Sequence, residues 1–135
     1  MKASISFPEL QDLIAEKTKQ QIALAFVDGK TLRVTYPLNL GFIKKDISAN
    51  LIIKSLVGSD LLLQLDAGLG SDSMLTTVLS LLKDKLPAGL IEKRPESQLL
   101  VHLGEIENVK TVFEKINVTD LHVLTEGLEV EGSLK

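Results

Sequence analysis

Two different periods of apolar positions run along this chain, and the switches between them mark its elements. Ser6 with Glu9 three residues on has capping-box spacing, and Ile5 and Leu10 are placed as the hydrophobic staple around it. Pro8 falls in the first turn, where a missing N–H costs nothing. Leu10, Leu13 and Ile14 then share one face, which predicts a helix over residues 7–18. Residues 22–27, IALAFV, change to a period of two, with Ile22, Leu24 and Phe26 on one face and Ala23, Ala25 and Val27 on the other, so that both faces are expected to be covered. Asp28-Gly29 is a hairpin signal, and Leu32, Val34 and Tyr36 alternate on the returning strand.

PLNLGFIKKD reads as a loop or irregular strand. A second hairpin follows. Ile47, Ala49, Leu51 and Ile53 alternate up to a turn at Gly58-Ser59-Asp60, and Leu61, Leu63 and Leu65 return. Gly68 to Ser73 break that pattern and supply helix caps. Met74, Leu75, Val78, Leu79, Leu82 and Leu86 then form a wide apolar stripe that Leu81 widens further, and Pro87 and Gly89 end it. This predicts a buried apolar helix near residues 73–86. EKRPESQ is a polar turn region. Leu99, Val101 and Leu103 make a strand face, and Ile106, Val109, Val112, Phe113 and Ile116 fit a helix. The chain closes with alternating runs at Leu121–Leu124 and Leu128–Leu134 around a Glu126-Gly127 turn.

Residues 10–38 and 109–134 thus share the order helix, strand, glycine turn, strand. Duplication would produce this, but shared amphipathic patterning is the simpler source, because few residues are identical. The expected architecture is α+β. A strongly twisted antiparallel sheet of about six or seven strands packs on helices, in a single domain spanning residues 1–135.

Composition narrows the function classes. Hydrophobic residues make up 44 % of the chain but aromatics only 4 %, so the interior is aliphatic and rich in leucine. Such an interior suits either an ordinary filled core or a groove for acyl chains. The net charge of −3 and the lack of a stacking platform argue against nucleic acid. Without cysteine there is no thiol nucleophile and no thiolate metal site. No stretch has signal-peptide or transmembrane length, so the chain as given reads as soluble and cytoplasmic.

No catalytic residues are expected. Gly68-Leu69-Gly70 between a strand and a helix start has the look of a phosphate loop, but it lacks a basic residue, and Asp66 and Asp72 would repel an anion. Those aspartates also lack the spacing of a calcium loop. Ser71 and Ser73 are capping serines. His102 and His122 sit on predicted strands, each away from the apolar face, and read as two separate surface or semi-buried histidines; no metal and no cofactor is expected. Glu126, Glu129 and Glu131 form a solvated acidic end that discourages edge pairing.

The run from Ile47 onward, with LPAGL after the apolar helix, a strand-helix unit and a closing hairpin GLEVEGSL, resembles bacterial tubular lipid-binding (TULIP-like) domains. The resemblance implies a curved antiparallel sheet wrapping a helix, with an apolar groove that takes lipid chains. Such domains are usually longer than this chain and carry a leader or anchor. The expectation is a non-enzymatic binding module for an apolar small molecule or lipid, with Leu75, Val78, Leu79 and Leu82 lining the groove. The alternative is a protein-interaction or assembly domain that accepts another chain or a second copy.

Overall fold

The computed structural model describes residues 1–18, 21–68, 76, 79–80 and 89–135. The fold is α+β, with antiparallel strands packed against two helices. Strand β1 (Lys2–Ser6) leads into helix α1 (Phe7–Thr18). Strands β2 (Ala23–Asp28), β3 (Thr31–Leu40), β4 (Ile43–Val57) and β5 (Asp60–Asp66) form a meander. Then come β6 (Ile91–Arg94), β7 (Gln98–His102), a short 3₁₀ turn, helix α2 (Glu107–Lys115), β8 (Ile116–Leu124) and β9 (Gly127–Leu134).

The antiparallel sheet of about six strands that the periodicity suggests is present, and a second, three-stranded sheet stands beside it. Six pair in the order β2-β3-β4-β5-β7-β6, and three in the order β1-β9-β8. Strand β1 has only Ile5 as a strongly apolar residue and gives no alternation to read. It becomes a strand by pairing with β9 from Lys2↔Glu131 to Ser6↔Gly127, and the Phe7 N–H extends the ladder to the Glu126 carbonyl at 2.8 Å.

The capping box forms as its spacing requires. The Ser6 hydroxyl accepts from the Glu9 N–H at 3.2 Å, and the Glu9 carboxylate accepts from the Ser6 N–H at 3.3 Å. The buried stripe of α1 is displaced from the predicted one. Phe7 is buried, Leu10 and Ile14 are half-buried, and Leu13 is exposed. PLNLGFIKKD is strand, turn and strand: β3 and β4 pair continuously from Thr31↔Ile52 to Leu40↔Ile43, with the turn at Gly41-Phe42. EKRPESQ also holds a strand, β6, whose turn places Glu96 and Ser97 at φ of 64° and 60°. Strand β2 lies at the sheet edge, and Ala23, Ala25 and Val27, like Phe26 on its other face, are exposed instead of covered.

The core lies between the two sheets. Leu32, Ile53 and Leu61 of the larger sheet meet Leu121 and Val123 of the smaller, with Phe7 beside them. The two end hairpins meet here as well. The Gly29-Lys30 turn of the first docks on β8 of the last, where the Val123 N–H donates to the Gly29 carbonyl at 2.9 Å. The Lys30 ammonium bonds the Leu121 carbonyl at 2.9 Å and the Asp120 carboxylate at 2.7 Å. No helix among the described residues is long and apolar enough to cross a membrane.

Candidate functional site

Alternation along β4, β5 and β7 puts Ala49, Leu51, Leu65 and Leu99 on the inner face of the larger sheet, where Leu51 also borders the core between the sheets. Here Leu79 packs against the buried pair Ala49 and Leu65, with Leu51, Ala67 and Leu99 around them. Leu79 is half-buried, and Thr76, Leu79 and Ser80 are helical. The Lys93 ammonium of β6 donates to the Thr76 hydroxyl at 3.0 Å, which ties this segment to the sheet edge. Of the four predicted groove residues, Leu79 is therefore placed on the apolar sheet face. Leu75, Val78 and Leu82 lie outside the described residues, as does most of the predicted helix near 73–86. Among the described residues no large side chain is completely buried.

Two concavities lie elsewhere. One of about 440 Å³ sits between α1 and the start of β2, with Gln11, Asp12, Thr35 and Asp46 in its wall. Another of about 310 Å³ opens between the sheets beside Lys30, Ile53 and Leu121. Both mix charged with apolar groups, and neither includes Leu79. At the end of β5 the Asp66 carboxylate accepts from the Gly68 N–H at 3.2 Å. That is a turn bond, and it leaves a negative group where a phosphate would need a positive one. Ser71, Asp72 and Ser73 lie outside the described residues.

Tertiary structure supplies the partners of His102, which come from two other strands. His102 ends β7 opposite Asp60 of β5. Its Nδ1 lies 2.8 Å from the Asp60 carboxylate and its Nε2 3.3 Å from that of Glu92. Hydrogen bonds to Asp60 and then Glu92 raise the imidazole above its ordinary pKa.

His122 sits on the outer face of the smaller sheet, because Leu121 and Val123 take the core face. It pairs with Glu129, and Asp120 pairs with Glu131. Its Nδ1 is 3.0 Å from the Asp120 carboxylate and its Nε2 is 3.0 Å from that of Glu129. The Lys30 hydrogen bond lowers the Asp120 carboxyl below its usual range against a smaller desolvation effect, and His122 assists. One ligand atom each from His122, Glu129 and Glu131 lie within 4.8 Å of one another. A sequence signal for this group existed. Asp-x-His and Glu-x-Glu flank a tight hairpin turn, so a period of two places all four on one face.

Phe42 is a surface feature that periodicity left inside a loop. It stands at the β3–β4 tip with 95 % of its surface exposed.

No protein-family model, no curated protein and no solved structure matches the chain.

Proposed function

We propose that this protein is a non-enzymatic binding module for an apolar ligand of lipid type, held between the inner face of the larger sheet and the segment carrying Leu79. The observation that carries this reading is the packing of Leu79 on Ala49 and Leu65, with Leu51 and Leu99 alongside. These side chains are aliphatic, and Ala49 and Leu65 form a buried cluster of their own beside the core between the sheets. An acyl chain needs such a surface, made of branched carbon side chains with few polar groups. The implied arrangement is that of the tubular lipid-binding domains which the C-terminal part of the sequence resembles.

Native mass spectrometry of gently purified protein tests the reading. The expected result is an added mass in the lipid range, lost on delipidation and regained with a long-chain fatty acid. Leu79→Asp places a charge on the proposed surface and should abolish the regained mass. A bare protein that takes up no fatty acid, together with a solid core beside Leu79, would leave the second reading. That reading is a protein-interaction or assembly domain, and the nearly complete exposure of Phe42 at a hairpin tip favours it.

A further inference from the structure

We infer that the outer face of the smaller sheet is a divalent transition-metal site formed by His122, Glu129 and Glu131, with Asp120 as the positioning residue. This inference does not depend on the apolar-ligand reading, because the site lies on the opposite face of the smaller sheet from the core.

Both ring nitrogens of His122 face a carboxylate. Nδ1 is 3.0 Å from an Asp120 oxygen and Nε2 is 3.0 Å from a Glu129 oxygen. A neutral imidazole carries one N–H, so it can serve one of these carboxylates but not both. At the other contact a nitrogen lone pair faces an anion, and a second positive species has to stand between them. That species is either a proton, on the ring or on the carboxyl group, or a metal ion.

Three observations favour the metal. First, Glu131 brings a third ligand atom into the same group, all within 4.8 Å; a second proton would need only Glu129. A tetrahedral ion with bonds of about 2.0–2.2 Å holds its ligand atoms about 3.4 Å apart, so side-chain rotation is enough to close the group. Second, Asp120 is held by the Lys30 ammonium at 2.7 Å, so its remaining oxygen is a fixed acceptor for Nδ1–H. That fixes the tautomer and turns the Nε2 lone pair toward the glutamates, which is how metal-binding histidines are usually oriented. Third, the residues stand on paired strands in a set register, His122↔Glu129 and Asp120↔Glu131, so binding requires no loop to be ordered. The side chains of His122 and Glu129 are 21 % and 19 % exposed, open enough for an ion to enter. The present neighbour of Glu131 is the exposed Lys2 ammonium at 3.4 Å, a flexible group that an ion can displace.

One imidazole and two carboxylates form a borderline-hard ligand set that suits Zn²⁺, Co²⁺ or Ni²⁺, with a coordination position left for water. His102 is the internal control. It too lies between two carboxylates, Asp60 and Glu92, but among the described residues no third ligand joins it.

The test uses the untagged full chain, stripped of metal with a chelator and titrated with Zn²⁺ by calorimetry. The expected result is one saturable site per chain. His122→Gln and Glu129→Gln should each weaken binding by at least about tenfold, Asp120→Asn by about tenfold or more, and His102→Gln should leave it unchanged. Circular dichroism shows whether each variant is folded. In the unmodified protein, Zn²⁺ should shift the imidazole NMR signals of His122 and leave those of His102 in place, a readout that survives even if a variant fails to fold. Absence of saturable binding at millimolar Zn²⁺, equal losses in the His102 and His122 variants, or equal shifts of both rings would overturn the assignment.

Discussion

Gly29 and Gly127 look alike in the sequence, each next to an acidic residue at a hairpin turn, yet the structure predicts opposite responses to the same substitution. Gly127 is buried as the first residue of β9, and β1 crosses directly over it. A Cβ at this position would lie 2.7 Å from Ser6 Cα and 2.9 Å from the Ile5 carbonyl carbon, and would press on the Ile5 oxygen. All three are backbone atoms, so no rotamer change relieves the contact and β1 itself must move. Overpacking of this kind costs about 1–3 kcal/mol, and backbone clashes belong at the upper end. Alanine recovers about 0.4–1 kcal/mol by stiffening the unfolded chain. The net loss for Gly127→Ala is then about 2 kcal/mol. For 135 residues, an unfolding entropy of about 2.1 cal/mol/K per residue makes that a fall in Tm of about 7 °C.

Gly29 has nothing within 4 Å of its Cβ position and no left-handed φ. Gly29→Ala should therefore keep only the unfolded-state gain and raise Tm by about 1–3 °C. Thermal melts followed by circular dichroism read both variants, and hydrogen exchange on Lys2–Ser6 shows whether β1 loosens in the first. If Gly127→Ala melts at or above the parent, β1 does not pack on β9 as described, and the two-sheet architecture is wrong.

Three further outcomes follow from named contacts. Ser6→Ala removes the hydroxyl that accepts from the Glu9 N–H and should cost about 1 kcal/mol, or about 3–4 °C in Tm; an unchanged melt would mean that the capping box is absent in solution. Lys30→Met breaks the contacts to Asp120 and the Leu121 carbonyl. Because Lys30 is half exposed the loss should be about 1 kcal/mol and should shrink in high salt, and a salt-independent loss would point to packing instead of charge. His102 has a folded-state pKa above its usual 6.5 because Asp60 and then Glu92 bond its ring. Its contribution is thus complete below about pH 6.5 and disappears as pH rises through the folded value; the Tm gap between the parent and His102→Asn should narrow over that window, and a gap that widens with pH would reverse the assignment.

Much of the local structure was legible in the residues because it depends on near neighbours. The Ser6–Glu9 box and the 7–18 helix need only capping geometry and helical spacing, and both appear as read. The period of two in β4, β5 and β7 set which side chains face inward, and Ala49, Leu65 and Leu99 do so together with Leu79. The outward face of His122 and the glutamates of β9 was also readable, since Leu121, Val123, Leu128 and Val130 claim the other side.

What only the tertiary structure decided depends on residues far apart in the chain. Lys2–Ser6 has almost no strand pattern of its own and is made a strand by β9, more than a hundred residues away. That pairing adds a third strand to the smaller sheet and turns Gly127 from a turn residue into a crossing point. The charged groups follow the same rule. Asp60, Glu92 and His102 are scattered in sequence, and Lys30 reaches Asp120 across a separation of 90 positions. Periodicity tells which face a side chain takes, because that is set by the backbone dihedrals of its own segment. It does not tell which strand lies alongside, because pairing partners and register are chosen by the packing of the whole chain.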